Sequence, residues 1–514
     1  MRDACLIGIS LASTAPARGG FGTVNYAVLI AYLAVLVAMG AYLARREKTT
    51  DDFFLAGRRI PWWAAGLSIF GTGLSAITFM AIPARAYHTD WVFILTSLAP
   101  ILFIPLVVAF YIPFYRRLRL TTAYEYLESR FNLPTRMFAS ALFIIYQFGR
   151  MSIVLCLPAI ALSTVTGLNL YACILAMGAL AAVYTVLGGI EAVIWTDVLQ
   201  VIVLMGGAIG SLLLIAGSVD GGFGGIVSAG LAHGKFHTFN WSWDHTTQAV
   251  WVMVLGSFLS AVMPNTADQS VVQRYLTTRN ERAAKQAAWT SALLGIPTAL
   301  LFFFLGTALF VFYKAHPGLA VSGLKKDAIL PLFIMQRMPP GVAGLVIAGI
   351  FAAAMSSVDS GMNSMATAFT TDFYRRLRPR RQERRYLLVA RMATVAAGAI
   401  ATIAAILLAR FQSGYMLDLF YEIMGLFGGW LAGLFVLGIF TRKATGPGAL
   451  AGLAAGTAAV YLVKFNTKVH FMLYAGVGLA VCVAVGYLVS LALPWKRKDV
   501  DGLTVYTMPE EESD

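Results

Sequence analysis

Charge is scarce in this chain. Asp, Glu, Lys and Arg make up 12% of its 514 residues, about half the share usual in a soluble protein. Too little polar surface remains to cover a water-facing fold, so a disordered chain and a nucleic-acid binder with a soluble fold are excluded. Cysteine is scarcer: Cys5, Cys156, Cys173 and Cys482 have neither paired nor metal-type spacing. Three of them lie inside apolar runs, where a free thiol behaves as a small hydrophobe. A disulfide scaffold is excluded with them. Long polar stretches are missing too. The longest, 219–245 and 314–340, leave no room for a soluble domain.

What is present is apolar sequence, 59% of the residues. A membrane-spanning helix needs roughly 20 apolar residues. About 13 such runs are predicted, an all-α membrane protein. Their cores are 24–43, 62–87, 91–115, 137–165, 170–187, 190–216, 250–275, 287–313, 342–370, 386–408, 415–440, 449–465 and 471–493. They form one transporter-sized domain over 21–494, followed by a tail over 495–514. Residues 1–20 have two open readings, a signal segment and a tail, because Arg2, the apolar run 5–12 and the small residues near 15–17 fit a cleavage pattern.

The net charge of +14 is distributed as membrane loops distribute it. Arg45, Arg46, Lys48, Arg58 and Arg59 form one cluster; Arg116, Arg117, Arg119, Arg130 and Arg136 another. Arg274, Arg279, Arg282 and Lys285, the run 375–385, Arg442, Lys443 and 496–498 complete the set. Alternate loops hold most of the basic residues, so the positive-inside rule predicts an N-terminus outside and a C-terminus in the cytoplasm of a bacterial-type inner membrane. His88, His233, His237, His245, His316 and His470 then all fall outside. None lies mid-membrane, against an intramembrane metalloprotease or a haem site.

Ionisable residues inside the bilayer are costly unless paired or facing a cavity. Arg150 in the fourth run, Asp197 in the sixth, Asp359 in the ninth and Glu422 in the eleventh are the candidates. Arg150 suits an anionic ligand, since its planar fork of donors matches a carboxylate. The carboxylates suit cations. Mutual pairing that merely holds the bundle together is the alternative.

In the ninth run Ala353, Ser356, Ser357 and Ser360 share one helical stripe, bordered by Asp359. Hydroxyls, carbonyls and a carboxylate suit a hard cation such as Na⁺. A small-residue helix contact is the alternative. The second run carries Gly71, Gly73, Ser75 and Thr78. Two glycines so close weaken a helix, and a break at that depth frees carbonyls. Five runs later, Met263-Pro264-Asn265-Thr266 is a second interruption. Paired interruptions at that offset point to an inverted-repeat transporter; ordinary kinks are the alternative.

The motif GGIEAVIWTDVLQVIVLMGG at 188–207, with Gln273-Arg274-Tyr275 and 351–360, resembles the signature of the sodium:solute symporter family. TFMAIPARAY at 78–87, TAYEYL at 122–127 and ILPLF at 329–333 are similar to its bacterial sialic acid transporters. The resemblance implies a LeuT-like fold of two inverted five-helix repeats, over 62–216 and 250–440, with the helix at 24–43 before them and two helices over 449–493 after. It implies one sodium site from the carbonyls of Gly71, Leu74 and Ala353 and the hydroxyls of Ser356 and Ser357. A second would use Asp197, Ser356, Ser360 and the position of Asp359. Ser75, Thr78, Phe93 and Arg150, with the positions of Gly73 and Ser97, would line the solute pocket.

The chain departs from that pattern where Asp359 replaces a serine, Gly73 a threonine and Ser97 a glutamine, and where Glu422 stands at a small polar position. Two carboxylates at one cation site either bind the ion more tightly or retain a proton. The expected function is sodium-coupled import of a small solute, an acidic sugar first, a neutral sugar or small monocarboxylate second. One or two Na⁺ ions, a carboxylate-bearing solute and the bilayer are the partners implied; nothing points to nucleic acid or an obligate protein partner. A membrane enzyme would need a nucleophile–base pair or metal cluster at one depth, and none is seen.

Overall fold

The computed structural model describes residues 21–43, 49–74, 77–118, 120–319, 326–411, 416–493, 495 and 498–507. Expectations for 1–20 and for Ser75 lie outside the described residues. Within them the fold is helical, with a single isolated bridge between Ile60 and Thr278.

Among the described residues ten helices are long and apolar enough to cross a bilayer, and up to twelve when each of two bent pairs is taken as one span. The bent pairs are the second span, Trp62–Gly73 with Ile77–His88, and the seventh, Val250–Thr266 with Gln269–Thr277. Their bends, 56° and 54°, are nearly equal. The expected segment 170–187 corresponds to the shorter apolar helix Leu170–Val183, which leads through a kink into Gly189–Ala216. Gly189 makes that kink at φ 49°, ψ −152°, a conformation open to glycine and closed to side chains. The seventh-span break falls at Ala267–Asp268, just beyond the Met263–Thr266 stretch.

Loops meet loops of the same expected side. Thr50 bonds Glu383, Arg59 lies 3.5 Å from Glu191, and Arg116 donates to the Thr278 carbonyl at 2.8 Å. These gather on one arginine-rich face. Lys235 bonds the Tyr87 carbonyl, Arg337 bonds Ser218, and the His470 amide bonds the His245 carbonyl on the opposite face.

Three basic residues assigned to loops turn inward instead. Arg130 is buried and donates to the carbonyls of Gly438, Thr441 and Ala444. A cation there complements the C-terminal end of the helix Met416–Ile439. Arg136 reaches Asp372 at 2.6 Å. The ninth span runs to Leu377, beyond its expected end at 370, so Asp372 is fully buried, also accepting from Thr122 and Ser140. Arg274 is the third and belongs to the candidate site. Cys156, Cys173 and Cys482 are buried.

The last two spans, Gly446–Asn466 and Phe471–Ala492, pack backbone to backbone. A Cβ on Gly452 would stand 2.3 Å from the Cys482 carbonyl, so only glycine permits the approach.

The apolar core is divided into two clusters. Ile194 and Val201 fall in different clusters, as do Tyr146 and Met151, and Met253 and Ala261. Asp197, Arg150 and Ser257 lie between those pairs. Polar side chains thus stand where the two clusters meet on the fourth, sixth and seventh spans, the layer in which the candidate site lies.

Candidate functional site

The second span supplies the opening in that layer. Its first half ends at Gly73, and Leu74 leaves the helix at φ −81°, ψ 67°. Carbonyls of the last turn lose their helical donors. The Thr72 carbonyl instead receives Arg150 Nη2 at 3.3 Å and lies 3.4 Å from the Ser357 hydroxyl. The fourth and ninth spans therefore meet the second at its break.

The seventh-span break is arranged differently. Its Thr266 and Ala267 carbonyls accept from the buried Tyr115 and Tyr124 hydroxyls. Those carbonyls are already satisfied by neutral donors. The second-span break meets Ser357 through the Thr72 carbonyl, and the seventh-span break reaches the cavity through the Asp268 side chain.

That cavity has a volume of about 340 Å³. Gly73, Thr78, Ser97 and Arg150 line it, with Tyr146 and Asp268. A Cβ on Gly73 would meet nothing within 4 Å. The wall is mostly apolar with a few convergent polar groups, the composition of a small-solute site. Phe93 is buried outside the described lining, with the Arg85 guanidinium 3.8 Å above its ring and Tyr421, which does line the cavity, 6.0 Å away. Arg85 pairs there with Asp418.

Gly71 packs against the sixth span: a Cβ on it would lie 3.6 Å from the Asp197 Cβ. Asp197 is fully buried and accepts from Ser68 and from Arg274 Nη2, the latter at 3.0 Å. The same Nη2 reaches Ser360 at 2.6 Å. Asp197 and Ser360, expected together at a second cation site, are thus joined by a guanidinium. Asp359, one residue away, accepts from Thr185 at 2.7 Å. Ala353 and Ser357 are buried on the ninth span beside the break. Ser356 lies on the same helix, its side chain outside the described residues. Among the described residues no cluster of three His, Cys, Asp or Glu could hold a metal ion. Serine hydroxyls, a carbonyl and the carboxylates of Asp197 and Asp359 gather here, oxygens that suit a hard cation. Glu422 pairs with Lys464 at 2.8 Å and is not among the residues lining the cavity.

Asp268 was not singled out by sequence reasoning, and Arg274 entered it only within the motif Gln273-Arg274-Tyr275 and a basic loop cluster, with no role at the site. Arg274 stands close to an arginine-rich loop and reads as part of it. The signal available was its place one helical turn after Ser270, on a helix whose loop-side end is marked only by Thr277 and Thr278.

The sodium:solute symporter family profile matches residues 53–456. The chain belongs to that family. Among relatives, a sodium/sialic acid symporter of Proteus mirabilis is 40% identical over 484 residues, covering 94% of this chain and 98% of that protein. A sodium/sialic acid symporter of Aliivibrio fischeri is 42% identical over 473 residues, covering 91% and 93%. A solved substrate-bound, outward-open Na⁺-coupled sialic acid symporter superposes with a TM-score of 0.87 at 40% identity, covering 92% of this chain and 98% of that one. The sodium:solute symporter fold expected from the motifs is therefore the fold of the chain: an all-α, LeuT-like transporter with broken spans five apart.

Proposed function

We propose that this sodium:solute symporter imports a sialic acid, or another acidic sugar, by alternating access, with Arg150 holding the solute's carboxylate. The observation that carries this reading is the Arg150 guanidinium in the wall of a mid-depth cavity. A cation is costly at that depth, and an incoming carboxylate answers it better than any neutral solute. Two relatives that transport sialic acid support the choice.

Na⁺ is a substrate in this reading. One ion sits between the second and ninth spans, on carbonyls of Gly71, Leu74 and Ala353 and the hydroxyls of Ser356 and Ser357. The 3.4 Å approach of Ser357 to the Thr72 carbonyl supports that place. A second ion uses Asp197, Ser356 and Ser360, and requires the Arg274 guanidinium to yield part of its present position. Asp359 joins that site only if Thr185 releases it.

The N-terminus lies outside and the arginine-rich face is cytoplasmic. Na⁺ draws the two spans together, the solute enters beside Thr78 and Ser97, and closure behind Tyr421 precedes release inward. Each net charge moved inward gains roughly 2.3 kcal/mol per 100 mV. Na⁺ and solute must favour the same state, and the coupling is reciprocal. Uptake into proteoliposomes by Arg150→Ala and Arg150→Lys tests the assignment. Both variants are expected to lose uptake of N-acetylneuraminate while still binding Na⁺; undiminished uptake by Arg150→Ala would remove Arg150 from the site.

A further inference from the structure

Arg150 meets the cavity with its charge already engaged. Nη1 donates to Asp268 Oδ2 at 3.3 Å, and Nη2 to the Thr72 carbonyl at 3.3 Å. Both are single, long contacts. A guanidinium and a carboxylate meeting face to face form two parallel bonds near 2.7–2.9 Å. The Asp268 contact is therefore a weak version of the interaction Arg150 can make, and both partners line the cavity. A pair placed only to hold the bundle would gain by closing to the bidentate geometry and by lying away from the cavity.

The other oxygen of Asp268 is anchored. As N-cap of the helix Gln269–Thr277, Oδ1 accepts from the Ser270 amide at 2.8 Å and its hydroxyl at 2.6 Å. The Ser270 carbonyl accepts from Arg274 Nη1, and Arg274 Nη2 holds Asp197 and Ser360. One chain of polar contacts thus runs from the cavity wall to the cation-site oxygens of the sixth and ninth spans. It passes through the half of the seventh span that lies beyond its 54° bend.

We propose that Asp268 is an internal competitor for Arg150, displaced by the solute's carboxylate, and that its release acts through Ser270 and Arg274 on the cation-binding oxygens of Asp197 and Ser360. This rests on the reading that Arg150 binds that carboxylate. While Asp268 occupies Arg150, apparent affinity is lowered by the fraction of guanidinium left free. Once displaced, Asp268 is a buried carboxylate without its cation, a costly arrangement. That cost favours a different placement of Gln269–Thr277, and the solute thereby acquires the differential interaction that coupling requires.

The test is calorimetric binding to the purified full-length protein, with N-acetylneuraminate and its methyl ester, across a Na⁺ series. Asp268→Asn and Asp268→Ser both keep an N-cap acceptor; Arg274→Lys keeps a cation beside Asp197 but lacks the guanidinium fork that holds the Ser270 carbonyl and Asp197 through separate nitrogens. The expected results are on the order of tenfold tighter binding of the free acid by both Asp268 variants, with the ester unchanged, and in all three a flattened dependence of acid binding on Na⁺. Acid binding unchanged or weaker in correctly folded Asp268 variants, or an undiminished Na⁺ dependence in all three, would overturn the proposal. A wild-type protein that binds ester and acid equally would instead overturn the carboxylate role of Arg150, which separates the two failures.

Discussion

The Ser357 hydroxyl lies 3.4 Å from the Thr72 carbonyl, joining the ninth span to the broken second span at middle depth. The serine stripe and the glycine-weakened segment thus form one place. Had they been far apart, neither would have suggested a cation site. Removing one hydroxyl ligand should cost about 1–2 kcal/mol of Na⁺ binding. Ser357→Ala is expected to raise the Na⁺ concentration for half-maximal uptake by about tenfold. Uptake against external Na⁺ checks this, and an unchanged midpoint would take Ser357 out of the site.

Arg274 and Asp197 are both fully buried and lie 3.0 Å apart. Breaking such a pair leaves a buried charge alone, a loss of about 3–5 kcal/mol. Arg274→Gln should lower the thermal unfolding temperature sharply. Arg274→Gln with Asp197→Asn should recover most of the loss, because neither charge then remains. Additive destabilisation in the double variant would count against the pair.

Gly73 has open space where a side chain would stand. Gly73→Thr is expected to leave stability within about 0.5 kcal/mol while adding a hydroxyl to the cavity wall. One new hydrogen bond of about 1 kcal/mol should lower KM for N-acetylneuraminate about fivefold. An unchanged KM would place Gly73 away from the bound solute.

Asp327 lies in the loop before the ninth span, and burial raises its carboxyl to about 6, with Asp418 adding to the shift. Its Oδ1 has no hydrogen-bond partner among the described residues. The folded carboxyl binds its proton more tightly than the unfolded one, so the ionised form is penalised. Stability from this group is greatest below about pH 4 and is lost as pH rises through about 6. Asp327→Asn keeps an acceptor for the Met416 amide. It should stabilise the protein at pH 7.5 by roughly 2–3 kcal/mol and hardly at all at pH 4. Unfolding temperatures at the two pH values decide this; an equal shift at both would contradict it.

Most spans and the second-span break were legible in the sequence, because Gly71 and Gly73 interrupt an apolar run; Pro264 marked the neighbourhood of the seventh-span break, which falls a few residues on at Ala267–Asp268. The glycines mark a break through lost helix preference, and no distant contact is needed to see it. Arg274 was not legible in the same way. A basic residue near the end of an apolar run is usually a loop residue, and burial of this one depends on Asp197, which lies 77 positions earlier in the chain. Asp372 was missed because a π-helical turn over Phe369–Tyr374 carries the ninth span past its apolar run. The place of Phe93 behind Tyr421 depends on Arg85 and Asp418, distant in sequence and joined only by the fold.

Sodium-coupled movement of an acidic sugar is tested most directly in proteoliposomes holding the purified protein, with radiolabelled N-acetylneuraminate outside. An inward Na⁺ gradient is expected to drive accumulation above the external concentration, increased by an inside-negative potential. A proton gradient without Na⁺ is expected to drive none. Accumulation under the proton gradient alone, or none under the Na⁺ gradient, would contradict the assignment.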